Sequence, residues 1–112
     1  TLLGMRIDIR SKRPILRNNV GGMSGPAVFP IAVRMVWQVS NAVSIPVIGM
    51  GGVDSGAAAM EMMLAGASAV QVGAAIFTDP YAPVRIVEEL QALLEEQHIA
   101  DVKELIGAVK PW

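Results

Sequence analysis

Two apolar segments, each ending at glycine, place the strongest constraint on the fold that this chain can adopt. The first is residues 45–50, followed by Gly51 and Gly52, and the second is residues 68–73. Short apolar runs bounded by glycine are typical of strands that are buried on both faces of a parallel sheet. A buried helix segment is the alternative, but Pro46 argues against a helix interior and is tolerated at the first residue of a strand. We therefore expect two strands, each buried on both faces.

Helix signals lie between and before these two strands. Asp54 and Ser55 can cap a helix over residues 56–64, a stretch rich in Ala and Met. Upstream, Pro30 can open a helix that runs to about Ala42. A helix that connects two neighbouring strands predicts a parallel sheet with right-handed crossovers, and so an α/β fold.

A further amphipathic helix is predicted after the second strand, with Asp79 as N-cap and Pro80 at the first helical position. Its periodicity predicts four buried side chains: Val84, Val87, Leu90 and Leu94. It predicts an exposed face of Arg85, Glu88, Gln91, Glu95 and Glu96. A last short helix is expected to open at Asp101, with Glu104 completing a variant capping box. At the other end of the chain, the alternation over residues 5–9 and the run 14–16 predict a small hairpin.

Charge and composition exclude several classes of partner. The formal net charge is −1, which gives no basis for nucleic-acid or anionic-membrane binding, although five basic residues fall within positions 1–17. The chain has no Cys, which excludes disulfides and Cys-ligated metal sites and agrees with a cytoplasmic location; no metal site is expected. No apolar run approaches the roughly 18 residues that span a bilayer. Because the first residue is Thr1 rather than Met, we expect the chain to be a fragment of a longer polypeptide.

Three glycine-containing segments are the candidate functional loops: residues 21–25, 49–52 and 73–75. The second and third follow the carboxyl ends of neighbouring predicted strands, where barrel enzymes commonly build a phosphate site. Backbone N–H groups can bind a phosphate if no Cβ blocks the approach, and glycine removes that obstacle. A single glycine at a strand end is equally well explained as a plain turn, but two such turns on adjacent strands favour anion binding.

The glycine segments carry a family resemblance. The run Ile48-Gly49-Met50-Gly51-Gly52-Val53, together with Ser55, Ala59 and Gly66-Ala67, resembles the C-terminal signature of dihydroorotate dehydrogenases. Residues 21–27 resemble the loop ahead of the sixth barrel helix in that family, and the likeness extends from Thr1 to the last helix. It implies that residues 1–112 are the C-terminal βα units of a TIM (β/α)8 barrel, an incomplete barrel whose two predicted strands are roughly a quarter of the complete set. The form of the motifs is most similar to the cytosolic, NAD-linked type.

The resemblance also implies ligands and site residues. It assigns five residues to backbone contacts with FMN: Gly25, Gly51, Gly52, Gly73 and Ala74. It assigns Thr1 to the ring of dihydroorotate or orotate. The family often has Thr where this chain has Ala74, so a hydroxyl contact to phosphate is lost while the amide remains. The catalytic Cys and the flavin-supporting Lys of the family lie upstream, so no catalytic residue is expected within this chain. A homodimer and an iron-sulfur flavoprotein subunit are the implied protein partners, along with the remainder of the barrel.

Two other functions stay open. One is a different flavin or phosphate-binding barrel enzyme, such as dihydropyrimidine dehydrogenase. The other is a non-catalytic half-barrel that pairs through its open strand edges. The glutamates at 88, 89, 95 and 96 are interpreted as a solvated face of one helix, far in sequence from any glycine loop, and His98 as a solvated residue near the end of that helix. The methionines at 60, 62 and 63 are interpreted as core packing.

Overall fold

A computed structural model describes residues 2–112. Its strands are β1 (Leu3–Gly4), β2 (Ile7–Asp8), β3 (Arg13–Pro14), β4 (Gly21–Gly22), β5 (Ile48–Met50) and β6 (Ala69–Gln71). Its α-helices are α1 (Phe29–Ala42), α2 (Gly56–Leu64), α3 (Ala75–Thr78) and α4 (Ala82–Glu96). Two 3-10 helices, Pro26–Val28 and Val102–Leu105, precede α1 and follow α4.

A parallel strand pair connected by α2 organises the second half of the chain. In β5 and β6, Gly49 is paired with Val70, and the ladder runs parallel. Just before the ladder, the Ser68 amide donates to the Val47 carbonyl at 2.8 Å. Helix α2 begins where its cap was expected, because the Ser55 hydroxyl accepts a hydrogen bond from the Ala58 amide at 3.1 Å. The predicted strand, helix, strand unit is confirmed.

The main core lies between this sheet and helices α2 and α4. Met62 is completely buried, and Ala59, Ala67 and Ala82 around it are equally inaccessible. Small residues allow the helices to approach the sheet closely, so a Cβ on Gly49 would overlap the Met62 side chain. A second, smaller cluster forms around Met60, Met63 and Leu105. The interpretation of the three methionines as core packing is confirmed.

Only one face of the β5–β6 sheet is covered within residues 2–112. Ile48 and Met50 point away from α2 and are 51% and 55% exposed, whereas Gly49 between them is buried. The expectation of strands buried on both faces is therefore wrong for this structure, because the described residues supply helices to one side alone. In the same residues, β5 and β6 pair only with each other, so their outer edges have no partner strand.

Helix α4 begins later than predicted and buries a different face. Asp79 is not the N-cap; its carboxylate accepts from the Tyr81 amide at 3.0 Å and shapes the turn between α3 and α4. Ala82 and Ile86 are buried, while Val84 and Val87 are 58% and 64% exposed, so their predicted burial is wrong. The i, i+4 row through Ala82 and Ile86 faces α2, which turns the two valines outward. The partly buried positions of Leu90 and Leu94 agree with the prediction.

The N-terminal segment forms two small antiparallel pairs. Strands β2 and β3 make the predicted hairpin, with Ile7 opposite Pro14. Strand β4, which lies in the first glycine segment, pairs with β1, a contact that the sequence did not predict. At the other end, Asp101 and Glu104 form the expected capping box on the last 3-10 helix. No helix between residues 2 and 112 has the length and hydrophobicity to cross a membrane.

Candidate functional site

A cleft of about 870 Å³ opens between α1 and the carboxyl ends of β5 and β6. All five residues predicted to contact cofactor line it: Gly25, Gly51, Gly52, Gly73 and Ala74. The structure therefore brings the three glycine segments together, although they are far apart in sequence. Thr1, the residue assigned to substrate, lies outside the described residues.

The first and second glycine segments touch each other. A Cβ built on Gly52 would lie 2.6 Å from the Gly25 carbonyl oxygen and 2.8 Å from the Phe29 Cβ. Gly52 also has φ +77°, a left-handed backbone conformation that side chains disfavour. Position 52 thus requires glycine both for its conformation and for the close approach of the neighbouring backbone.

Gly25 is required for its conformation alone. Its φ of 84° and ψ of −171° fall in a region that is essentially restricted to glycine. A Cβ there would meet nothing within 4 Å, because the position faces the open cleft. A glycine-only conformation beside open space is consistent with a turn shaped for a ligand rather than for packing.

Outside the helices and the strand ladders, the amides of Gly25, Gly51, Gly52, Gly73 and Ala74 have no backbone hydrogen-bond acceptor within residues 2–112. Three of their carbonyls, in contrast, accept hydrogen bonds: Gly25 from Val28 at 3.2 Å, Gly73 from Ile76 at 3.0 Å, and Ala74 from Phe77 at 3.2 Å. The turns at Gly25 and at Gly73-Ala74 are therefore closed through their carbonyl oxygens, which leaves their N–H groups available. Unpaired amides around a cleft can donate to an anion such as a phosphate.

The remainder of the cleft wall is mainly apolar. It is formed by the uncovered side of the sheet and by α1, with Val36, Val39, Val47, Ile48 and Met50 among the lining residues. Two polar side chains also line it, Ser24 and Gln71. Gln71 pairs with Met50 across the ladder and lies on the same uncovered face. The cleft thus combines a polar end of backbone amides with an apolar body.

Sequence reasoning assigned no role to Gln71. A polar residue inside an otherwise apolar strand, two positions before Gly73, was the available signal. In a strand, alternate residues face the same side, so Gln71 points with the cleft-facing residues rather than with Val70, which packs toward the helices.

A polar network joins α2, α4 and the turn before α4, outside the cleft. The Arg85 guanidinium contacts Asp79 at 3.0 Å and Glu89 at 2.7 Å, and it donates to the Asp54 carbonyl at 3.2 Å. Glu89 in turn accepts from the Gly56 amide at 2.7 Å. The interpretation of Glu89 as part of a solvated face holds only in part, because its side chain is 38% exposed while α4 packs across the start of α2 and brings the carboxylate to the Gly56 amide. Glu88, Glu95, Glu96 and His98 are exposed, as expected.

Hydrogen bonding shifts the pKa values in this network. The Gly56 amide, followed by the Arg85 guanidinium, lowers the pKa of Glu89 below its ordinary 4.5. The Glu89 carboxylate, followed by Asp79, raises the pKa of Arg85. Both shifts favour the charged forms of Glu89 and Arg85.

Replacing Glu89 with Gln should lower Tm at pH 7 and have no such effect in acid. A carboxyl whose pKa is lower in the folded state stabilises the fold above its unfolded pKa, and that contribution is lost as pH falls through the folded pKa. The Tm difference between the natural protein and Glu89→Gln should therefore shrink as pH drops below 4.5. Thermal unfolding followed by circular dichroism over a pH series measures this. The exposed neighbour Glu88→Gln is the control, and a Glu89→Gln difference that stays constant with pH would contradict the expectation.

No cluster of three or more His, Asp or Glu side chains with the spacing of a metal site occurs between residues 2 and 112. The polar side chains of the network are committed to one another, and the cleft is lined by glycine turns and apolar groups. The arrangement is therefore suited to hold an organic ligand that carries an anionic group.

Comparison with known proteins gives a consistent set of relatives. The family model described as dihydroorotate dehydrogenase matches residues 1–94. The catalytic subunit of dihydroorotate dehydrogenase B (NAD(+)) from Geobacter metallireducens is 62% identical over 110 residues, which cover 98% of this chain and 36% of the relative. The protein of the same name from Streptococcus pneumoniae is 53% identical, with 98% of this chain and 35% of the relative covered. The chain thus spans about a third of the length of these curated relatives.

A solved structure agrees with the sequence relatives. The crystal structure of DHODH from Eimeria tenella in complex with ferulenol superimposes with a TM-score of 0.76 and 27% sequence identity. The match covers 94% of this chain and 29% of that chain. The backbone similarity therefore extends over nearly the whole chain.

Proposed function

Since the chain belongs to the dihydroorotate dehydrogenase family, we propose that it is part of an FMN-dependent enzyme that oxidises dihydroorotate to orotate in pyrimidine biosynthesis. The observation that carries this proposal is the single cleft lined by Gly25, Gly51, Gly52, Gly73 and Ala74. The names of the relatives support the activity, and the chain spans only a third of their length. The activity is therefore proposed for the protein of which these residues form a part.

The cleft fits the phosphate end of FMN. The close contact of Gly52 with the Gly25 carbonyl leaves no space for a side chain, and the unpaired amides surround an open volume. Gly25, Gly51, Gly52, Gly73 and Ala74 would donate N–H groups to the phosphate and the ribityl chain. Ala74 provides no hydroxyl, so its contribution is limited to the amide, and a missing hydrogen bond to a charged group is worth about 1.5–3 kcal/mol.

Bound flavin would supply the hydride acceptor. The residues of this chain bind and orient it: the amides fix the phosphate, and the apolar side of the sheet excludes water from the cleft body. Thr1 is assigned to the substrate ring, and the proton-accepting base and the flavin-supporting lysine are assigned to positions outside residues 1–112. The chain therefore contributes to cofactor binding and not to proton transfer.

The fold supports the same assignment. In the proposed architecture, residues 1–112 are the C-terminal βα units of a TIM (β/α)8 barrel whose functional face lies at the carboxyl ends of its strands. The exposed Ile48 and Met50 and the open edges of β5 and β6 are the surfaces that the remaining strands would cover. The relatives are named as catalytic subunits, which supports a further subunit. A homodimer and an iron-sulfur flavoprotein subunit are the partners we propose from the family resemblance.

The proposal is tested on the purified protein at its natural length. We expect a yellow protein that releases FMN on denaturation and forms orotate from dihydroorotate, measured by absorbance. A flavoprotein that turns over dihydrouracil but not dihydroorotate would favour a dihydropyrimidine dehydrogenase instead. A colourless, defined oligomer that binds no added FMN would support a non-catalytic assembly module and contradict the proposal.

A further inference from the structure

Arg85, which lies outside the cleft, connects two segments of the chain. One segment follows the glycine turn after β5, and the other follows the glycine turn after β6. Arg85, in α4, donates through Nε to Asp79, through one terminal nitrogen to Glu89, and through the other to the Asp54 carbonyl. Glu89 extends the connection, because its second oxygen accepts from the Gly56 amide at 2.7 Å. We call Asp79, Arg85 and Glu89 the Arg85 network.

Each end of the network is close in sequence to a cleft turn. Asp54 and Gly56 lie two and four residues after Gly52, at the start of α2. Asp79 follows Ala74 directly after the four-residue helix α3. The guanidinium therefore contacts the exit from the turn after β5 and the exit from the turn after β6 simultaneously.

Core packing already holds the residues next to both turns, because Val53, Val72 and Ala75 belong to one hydrophobic cluster. Gly73 itself is less constrained, because a Cβ at this position would meet no atom within 4 Å among residues 2–112. The strand ladder ends at Met50 and Gln71, before either turn begins. A cradle of backbone amides binds a phosphate well only when the amides converge, and small misplacements weaken such sites strongly.

We propose that Arg85 is a positioning residue that holds the turn at Gly51 and Gly52 and the turn at Gly73 and Ala74 in one arrangement, so that their amides converge on the same phosphate. This inference rests on the proposed FMN function. Arginine suits the task because its planar fork reaches three acceptors in fixed directions, which the single ammonium group of lysine cannot reproduce. The network is partly exposed, so its effect is on geometry more than on overall stability.

Comparison of FMN with riboflavin, which lacks the phosphate, tests the inference. In the protein at its natural length, Arg85→Ala should weaken FMN binding roughly fivefold and leave riboflavin binding nearly unchanged. Flavin fluorescence titration of both ligands gives the ratio of the two Kd values. A residue with a merely structural role would weaken both ligands equally, so this ratio distinguishes positioning from general destabilisation.

Two further variants and one control complete the test. Arg85→Lys should recover part of the lost preference for FMN, and Glu89→Gln should lose part of it, since only one end of the network is altered. Arg34→Ala removes a more exposed arginine, which hydrogen-bonds Gln38 on α1 at 2.6 Å, and should leave the ratio unchanged. Melting curves of each variant establish that the protein remains folded at the titration temperature.

The outcomes separate the inference from the function on which it rests. If the natural protein binds FMN more tightly than riboflavin and Arg85→Ala keeps the same ratio, the positioning role is wrong and the FMN proposal stands. Equal weakening of both ligands by Arg85→Ala overturns the inference as well. If the natural protein binds neither flavin, the proposed function fails and the inference fails with it.

Discussion

Replacing Gly52 with alanine is expected to abolish FMN binding and to destabilise the fold. The alanine Cβ would lie 2.6 Å from the Gly25 carbonyl oxygen and 2.8 Å from the Phe29 Cβ, so one glycine turn must move away from the other. The left-handed conformation at position 52 adds about 1–2 kcal/mol, and overpacking adds about 1–3 kcal/mol. We expect the free energy of unfolding to fall by about 2–5 kcal/mol in urea denaturation and FMN affinity to fall at least about 100-fold in fluorescence titration.

Gly73→Ala is the matched control for the cost of a methyl group. A Cβ at Gly73 would meet nothing within 4 Å, and its backbone is not left-handed. We expect a stability change within about 0.5 kcal/mol, because surface changes without strain are usually that small. A Gly52→Ala protein as stable as Gly73→Ala, with unchanged FMN affinity, would show that the contact between the first two glycine segments is not essential.

Truncating Met62 to alanine is expected to cause the largest loss of stability in the core. Met62 is completely buried between the sheet and α4, and it fills the space that the absence of a side chain at Gly49 leaves open. Removal of such a side chain typically costs about 2–5 kcal/mol, because apolar contacts are lost and a cavity remains. Urea denaturation of the protein at its natural length measures this as a lower midpoint with an unchanged slope.

Met62→Leu provides the volume-conserving comparison. It keeps an apolar side chain of similar size, and swaps of this kind usually cost less than about 1.5 kcal/mol. Equal stability of the Met62→Ala and Met62→Leu proteins would contradict the prediction. It would mean that no cavity forms on truncation and that Met62 is not at the centre of the core.

The local elements were largely predictable. The helix after Pro30, the cap at Ser55, the parallel strand pair and the capping box at Asp101 all follow from short-range signals, and the structure contains each of them. The start of the last long helix was misplaced because Asp79-Pro80 has the form of a cap and a first turn. In the structure, Asp79 shapes a turn after α3 instead, and nothing in its own dipeptide distinguishes the two roles.

Burial was less predictable than secondary structure. Val84 and Val87 share an apolar face with Leu90 in sequence, but the neighbour of α4 within residues 2–112 is α2, which meets the row of Ala82 and Ile86. Ile48 and Met50 read as core residues and are half-exposed, because burial requires a second layer that these residues do not supply. Periodicity identifies which residues share a face, and it does not identify what covers that face.

The sequence by itself determined the chemistry of the cleft. Glycine at positions 25, 51 and 52 marks backbone that adopts left-handed conformations or approaches another segment closely. Both requirements can be inferred from residue type alone, because only glycine lacks a Cβ. Only the tertiary structure decided that these turns meet at one cleft with their amides unpaired, and that Glu89 and Arg85 lie behind them. The physical reason is distance along the chain. Capping, turns and strand propensity depend on neighbours within a few residues, whereas the contact of Arg85 with Asp54 depends on how α4 packs across the start of α2.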